Sequence, residues 1–300
     1  MLARAGVSDV YSEAYELLEQ MLCIHFSRTQ MFRVTDNLGE QLEAEQSTRV
    51  DVPELEADEV VYGSMDGSMI QTEVGWKEVK LGRIFRSGDV KATGSLKRHQ
   101  IADSIYSACL GTCHEFLPRF EASLGAWAEQ PDRLVFITDG AEWIRHYLQE
   151  NYPDATHILD YFHAVERLGE FAKTFFKDEA ERHQWIEEQE ASLKTGQVAA
   201  VLKTLETLVP LSKTARQERY KLITYYRNNQ SRMAYDDYRK RGLMIGSGPM
   251  EAAHRTVLQA RMKRSGQHWT ITGAKAMINL RVALKSGRWQ QSIKPLLQAA

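Results

Sequence analysis

Three hundred residues, 43% of them hydrophobic, suffice for one large domain or for a core carrying an inserted subdomain. No run approaches the roughly 18 uninterrupted apolar residues of a membrane span, and residues 1–10 lack the basic start and apolar middle of a secretory signal. No membrane partner is therefore expected, and the odd set Cys23, Cys109 and Cys113 argues for a reducing, cytoplasmic compartment over a disulfide framework.

The net charge of −2 conceals an asymmetry. Residues 241–300 hold ten basic side chains (Arg241, Arg255, Arg261, Lys263, Arg264, Lys275, Arg281, Lys285, Arg288 and Lys294) against one acid, Glu251. The first sixty residues run the other way, with acids in excess over Arg4, Arg28, Arg33 and Arg49. So basic a segment attracts polyanions. The competing reading is a solvated face that pairs with the acidic N-terminal part.

Taken in chain order, residues 8–30 predict a helix: Ala14, Leu17, Leu18, Met21 and Leu22 recur at helical spacing after a capping Ser8 or Asp9. Residues 37–59 are acidic and loop-like. A strand is expected at 59–66, ending on Asp66. Residues 75–85 alternate apolar with charged side chains, as a half-exposed strand would. Past the turn-rich 86–95, the segment from 97 to about 127 reads as a long amphipathic helix, interrupted before Pro118. Strand 133–138, helix 141–150 and strand 156–160 follow in α/β order.

From 164 to 240 the apolar residues recur only at helical intervals (Leu168, Phe171, Phe175; Val198, Val201, Leu205), with a break near Pro210. Gly246, Ser247, Gly248 and Pro249 then supply a turn, a cap and a first-turn proline for a helix from about 250 to 262. The predicted organisation has an acidic helical segment at 1–57 and the first part of an α/β core at 58–163. An all-helical insertion at 164–240 follows, and the core resumes at 241–300.

Asp66, Asp139 and Asp160 each stand where an apolar run ends, the usual rim for a site in an open α/β sheet. Carboxylates are the ligands that Mg²⁺ prefers, and two such ions can activate the attacking oxygen and stabilise the leaving oxygen of a phosphodiester displacement. A turn or a helix cap is the competing reading for each Asp. Glu251 is a candidate third acid, with His254 and Arg255 on its helical face; a salt bridge to Arg255 is its competing role. Asp160, His163, His254 and Arg255 fit an outer-layer or DNA-contact role, with a structural hydrogen bond as an equal competitor for Asp160 and His163. Cys109, Cys113 and His114 look like one face of a buried helix, a poor zinc site. Trp269 and Trp289 are expected in the core.

Five stretches together carry a resemblance: Met65-Asp66-Gly67-Ser68, the run 75–80, Ile137-Thr138-Asp139-Gly140-Ala141, Leu159-Asp160-Tyr161-Phe162-His163-Ala164, and the run 245–251. In this order they resemble bacterial insertion-sequence transposases of the DDE type, in the Kra-type group and distantly Mutator-like, over about residues 58–285. The resemblance implies an α/β, RNase H-like core, a mixed sheet flanked by helices and interrupted by an all-helical insertion. It implies Asp66, Asp139 and Glu251 as catalytic acids holding two Mg²⁺ or Mn²⁺ ions, and matches Asp160 and His163 to an Asp-x-x-His signature.

The implied reaction is hydrolysis at the element's ends, followed by strand transfer into target DNA. Double-stranded DNA would be gripped through Arg261, Lys263, Arg264 and Lys275, by a homodimer or larger synaptic complex associated with the nucleoid. Related transposases carry an N-terminal region that reads the element's ends. Here only about 58 residues, acidic on balance, precede the first catalytic strand, without zinc-finger spacing or a basic helix-turn-helix, so a truncated copy is an expectation. A non-catalytic DNA-binding remnant is the alternative. A glycoside hydrolase with paired carboxylates explains neither the basic segment nor the motif order.

Overall fold

In the computed structural model, which describes residues 1–23, 25–93 and 98–298, Thr72 faces Gly75 across a two-residue turn. That turn joins β1 (Val61–Thr72) to β2 (Gly75–Arg86) as a long antiparallel hairpin. Gly75 closes it with φ +95°, where a side chain would be strained. The chain divides into two units, Met1–Leu134 with Gly248–Ala300, and Val135–Ser247.

In the first unit β2 also pairs antiparallel with β5 (Ile105–Leu110), and β3 (Val90–Thr93) pairs antiparallel with β4 (Arg98–Ile101) in a separate two-stranded sheet. Three helices precede the strands: α1 (Leu2–Ser8), α2 (Tyr11–Leu22) and α3 (Arg28–Gln41). Ser27 starts the third by accepting a bond from the Gln30 N–H. Helix α4 (Cys113–Leu124) starts in a capping box, Thr112 with Glu115, and packs on β2 and β5. Its Phe120 fits because position 82 is glycine: a Cβ there would stand 2.6 Å from the ring.

Four expectations change. Asp66 is not at a strand end: the strand continues to Thr72, and Asp66 lies opposite Leu81 in mid-hairpin. The half-exposed pattern of 75–85 holds only at its start, since Val79 to Phe85 are buried, including Lys80 and Arg83. The long helix beginning at 97 is instead β4, β5 and then α4; Lys97 itself lies outside the described residues. Gly111 and the Thr112 cap delay the helix start, and Pro118 sits inside α4. The single helix expected at 8–30 is instead α2 and the start of α3, with α1 before them, and α3 runs into the stretch that reads as loop.

The second unit opens with β6 (Leu134–Thr138), helix α5 (Glu142–Asn151) and β7 (Thr156–Leu159), the two strands pairing parallel. Only helices follow among its described residues: α6 (Tyr161–Phe175), α7 (Glu179–Lys194), α8 (Val198–Thr207), α9 (Lys213–Asn229) and α10 (Tyr235–Lys240). They bury Leu168, Phe171, Leu193, Val201, Leu205 and Tyr226, and the break expected near Pro210 falls between α8 and α9. Strands of both senses with a long helical segment make the chain mixed α/β.

Back in the first unit, α11 (Gly248–Ala253) passes into a π-helical stretch at His254–Gln259 and ends as α12 (Ala260–Met262). Helices α13 (Ile271–Lys285) and α14 (Trp289–Gln298) complete the chain. Met250, Val257, Leu258, Met262, Trp269, Met277 and Ile278 join Ile70, Val79 and Leu81 in one apolar cluster, with Trp289 packed against it. No helix among the described residues is long and apolar enough to cross a membrane.

Candidate functional site

The first candidate acid sits where a strand meets a helix of the same unit. Asp66 is partly exposed, 37% of its side chain. Its Oδ1 accepts the Gly67 N–H at 2.7 Å, and its Oδ2 lies 3.0 Å from Nε2 of His254. A carboxylate only accepts, so Nε2 carries the proton in this contact; Nδ1 is buried with no hydrogen-bond partner among the described residues. The helix start is tied to β2 by Arg83, which donates to the Pro249 carbonyl at 2.6 Å and to Ser104 Oγ at 3.0 Å.

The helical run from 248 to 262 thus turns His254 inward and Glu251 outward. Glu251 is 69% exposed and stands 4.0 Å from the exposed Arg255, the salt bridge that competed with its role as a third acid. The π-helical stretch begins at His254, and such local widening is frequent at functional sites. Among the described residues no group of three or more His, Cys, Asp and Glu side chains is placed to hold a metal ion.

In the second unit Asp139 follows β6. Its Oδ1 accepts the Ala141 N–H at 3.0 Å, the turn role that competed with catalysis, and its carbonyl accepts the Tyr225 hydroxyl at 2.7 Å. Gly140 holds φ +92°, and a Cβ there would lie 2.9 Å from both Leu159 and Tyr225. Burial, with the Asp139 charge nearby, pushes the Tyr225 phenol well above its ordinary value.

Asp160 is 2% exposed and caps α6, accepting the Phe162 N–H at 2.7 Å and the His163 N–H at 3.4 Å. Its Oδ2 also accepts from His163 Nδ1 at 3.0 Å, from the Ser247 N–H at 2.9 Å and from the Ser247 hydroxyl. Burial raises the carboxyl's pKa, but the bonds from His163 and Ser247 outweigh it and hold the group below its usual range. The bond to Asp160 lifts His163 to about 9 against the cost of burial, so this half-exposed ring is a cation at neutral pH. Of the competing roles, a structural hydrogen bond describes Asp160; His163 keeps an open face.

The four basic side chains singled out for DNA separate. Arg261 is buried, donating to the Gly6 carbonyl at 2.8 Å with its guanidinium over Tyr11 and Trp269 at 4.8 and 5.2 Å; it belongs to the core of the first unit, and is no surface contact. Lys263 is exposed and bonds Ser68 Oγ at 2.6 Å. Arg264 is half exposed and pairs with Asp9 at 3.1 Å. Lys275 is half-buried on α13.

The sequence pattern singled out neither Arg83 nor Tyr225, and it assigned Ser247 only a turn or cap and Trp76 only a place in a half-exposed strand. A charged residue in the middle of an apolar strand was a signal for Arg83; nothing local marked Tyr225. Cys109 lies in β5 and Cys113 opens α4, so the two do not share a helix face.

Residues 10–294 match the model of a family described as an uncharacterised protein family, UPF0236. A curated relative, the UPF0236 protein in the vanSb 3′ region of Streptococcus gallolyticus, is 24% identical over 248 residues, 79% of this chain. The chain spans about half, 52%, of that relative's length.

Proposed function

The chain belongs to the UPF0236 family, and from that premise we propose that it is the catalytic part of a DDE-type DNA transposase with an RNase H-like core. Asp66, Asp139 and Glu251 are its acids. The observation that carries the reading is the contact of Asp66 with His254, which brings the first acid's strand against the helix that bears Glu251. The motif order and the exposed basic residues near that helix add to it.

The donor set is all oxygen, the chemistry Mg²⁺ and Mn²⁺ prefer. Two bound ions would supply activation of the attacking oxygen and relief of charge on the leaving one. Double-stranded DNA at the element's ends and at the target is the proposed substrate, in the cytoplasm, with a homodimer or larger complex joining two ends.

A second reading, a DNA-binding remnant without catalysis, is favoured by Glu251 facing Arg255. A labelled duplex bearing the flanking element's ends, incubated with Mn²⁺ or Mg²⁺, separates the two. Specific nicking lost in Asp139→Asn and Glu251→Gln, with DNA binding kept, supports the transposase. Binding without nicking in the parent protein supports the remnant.

A further inference from the structure

The β1–β2 hairpin and the chain following α12 enclose a cleft of about 510 Å³ within the first unit. Trp76 forms part of its wall and is 62% exposed; Met69 beside it is 44% exposed. Lys263, Arg264 and His268 line it too, and no carboxylate is among its lining residues. An indole left this open against water, with cations around it, is what a base-stacking platform requires.

Lys263 is held toward the strand by a neutral partner, Ser68 Oγ, so that contact leaves its charge uncompensated. Ser68 lies two residues from Asp66 on the same face of β1, about 7 Å along the strand. Arg264 keeps half its side chain in solvent although it meets Asp9.

Resting on the nucleic-acid reading above, we propose that this cleft holds a single DNA strand, one unpaired base stacked on Trp76 and the adjoining phosphates on Lys263 and Arg264. A paired base shows the groove only its edge, so stacking on an indole selects a frayed or separated strand. The strand so held passes beside the segment of β1 that carries Asp66. The cleft would thereby keep one strand of an opened end next to the first acid.

The test uses the full chain and fluorescence anisotropy with two probes, labelled oligothymidylate and a blunt duplex of equal length. Trp76→Ala should weaken oligothymidylate binding by about tenfold and leave the duplex within about twofold, because the duplex offers no free base face. Trp76→Phe should retain most of the affinity. Lys263→Gln should lower the slope of log affinity against log salt by about 0.7 for the single strand. Trp76 is exposed, so an unchanged thermal midpoint checks that the fold survives. If the parent binds both probes and Trp76→Ala binds oligothymidylate as tightly as the parent, the cleft assignment is overturned while the nucleic-acid reading stands. If the parent binds neither probe, the nucleic-acid reading fails and the cleft falls with it.

Discussion

Nε2 of His254 donates to Oδ2 of Asp66 across 3.0 Å, joining residues 188 apart in sequence. The imidazole is nearly buried, so it orients one carboxylate oxygen and leaves the partly exposed side of Asp66 to solvent. Residues that orient a ligating carboxylate commonly matter about 10–100-fold for metal affinity or activity. His254→Ala is therefore expected to reduce metal-dependent nicking by about that factor, with DNA binding retained. Nicking at the parent rate by a folded His254→Ala protein would remove His254 from the site.

The Asp160–His163 pair makes stability depend on pH in a defined sense. His163 is raised from 6.5 to about 9 on folding, so its contribution is complete below 6.5 and fades as pH rises through about 9. Asp160 is lowered, so its contribution is present above the ordinary carboxylate value and lost as pH falls through its depressed one. The thermal midpoint should decline between pH 6.5 and 9, and His163→Gln should flatten that decline. A parallel decline in parent and variant would assign it to other groups. Solvent at the half-exposed ring screens the interaction and keeps the effect modest.

Arg261 should behave as a core residue. Burial lowers its pKa, and its guanidinium is clamped between two rings and the Gly6 carbonyl. Arg261→Ala is expected to cost about 2–4 kcal/mol in denaturant unfolding through lost packing and cation–π contact. Lys263→Ala should be nearly neutral for stability. The reverse ranking would contradict the buried placement.

The three thiols should separate by access. Cys23 is exposed, Cys113 intermediate and Cys109 buried, where desolvation raises its pKa. A thiolate-selective alkylating reagent should modify Cys23 in the native protein and reach Cys109 only on unfolding. Equal rates at both positions would mean that β5 is not packed as described.

Phe120 against Gly82 tests the packing of α4 on the hairpin. Phe120→Ala empties a fully buried ring site and is expected to cost about 3–5 kcal/mol. A change below about 1 kcal/mol in denaturant unfolding would argue that α4 is not seated on β2.

Local chemistry was legible in the sequence where short-range patterns decide it. The strands around Val135 and Ile158, the helical run after Ala164, the break at Pro210 and the proline-led helix at Glu251 all follow from periodicity and capping, which act over a few residues. The long helix starting at 97 failed for the same reason: 105–110 is a short apolar run that either strand or helix can satisfy, and pairing with β2 across the sheet chose the strand. The continuation of β1 past Asp66 likewise depended on its partner, since Leu81 and Lys80 carry the ladder through an Asp-Gly pair that alone reads as a turn.

The sequence by itself determined the composition of the candidate site: its acids, its order of motifs and the excess of cations after Glu251. Tertiary structure alone decided which of them face water. Arg261 and Arg281 belong to the same basic tract as Lys263, yet both guanidiniums turn inward to backbone carbonyls of α1 and of the helical run from 248 to 262. Asp160 is spent on a cap, while Asp66 keeps an open side. Charge counts are one-dimensional; the direction of a side chain is set by what packs against its backbone, and those partners lie up to 274 residues away.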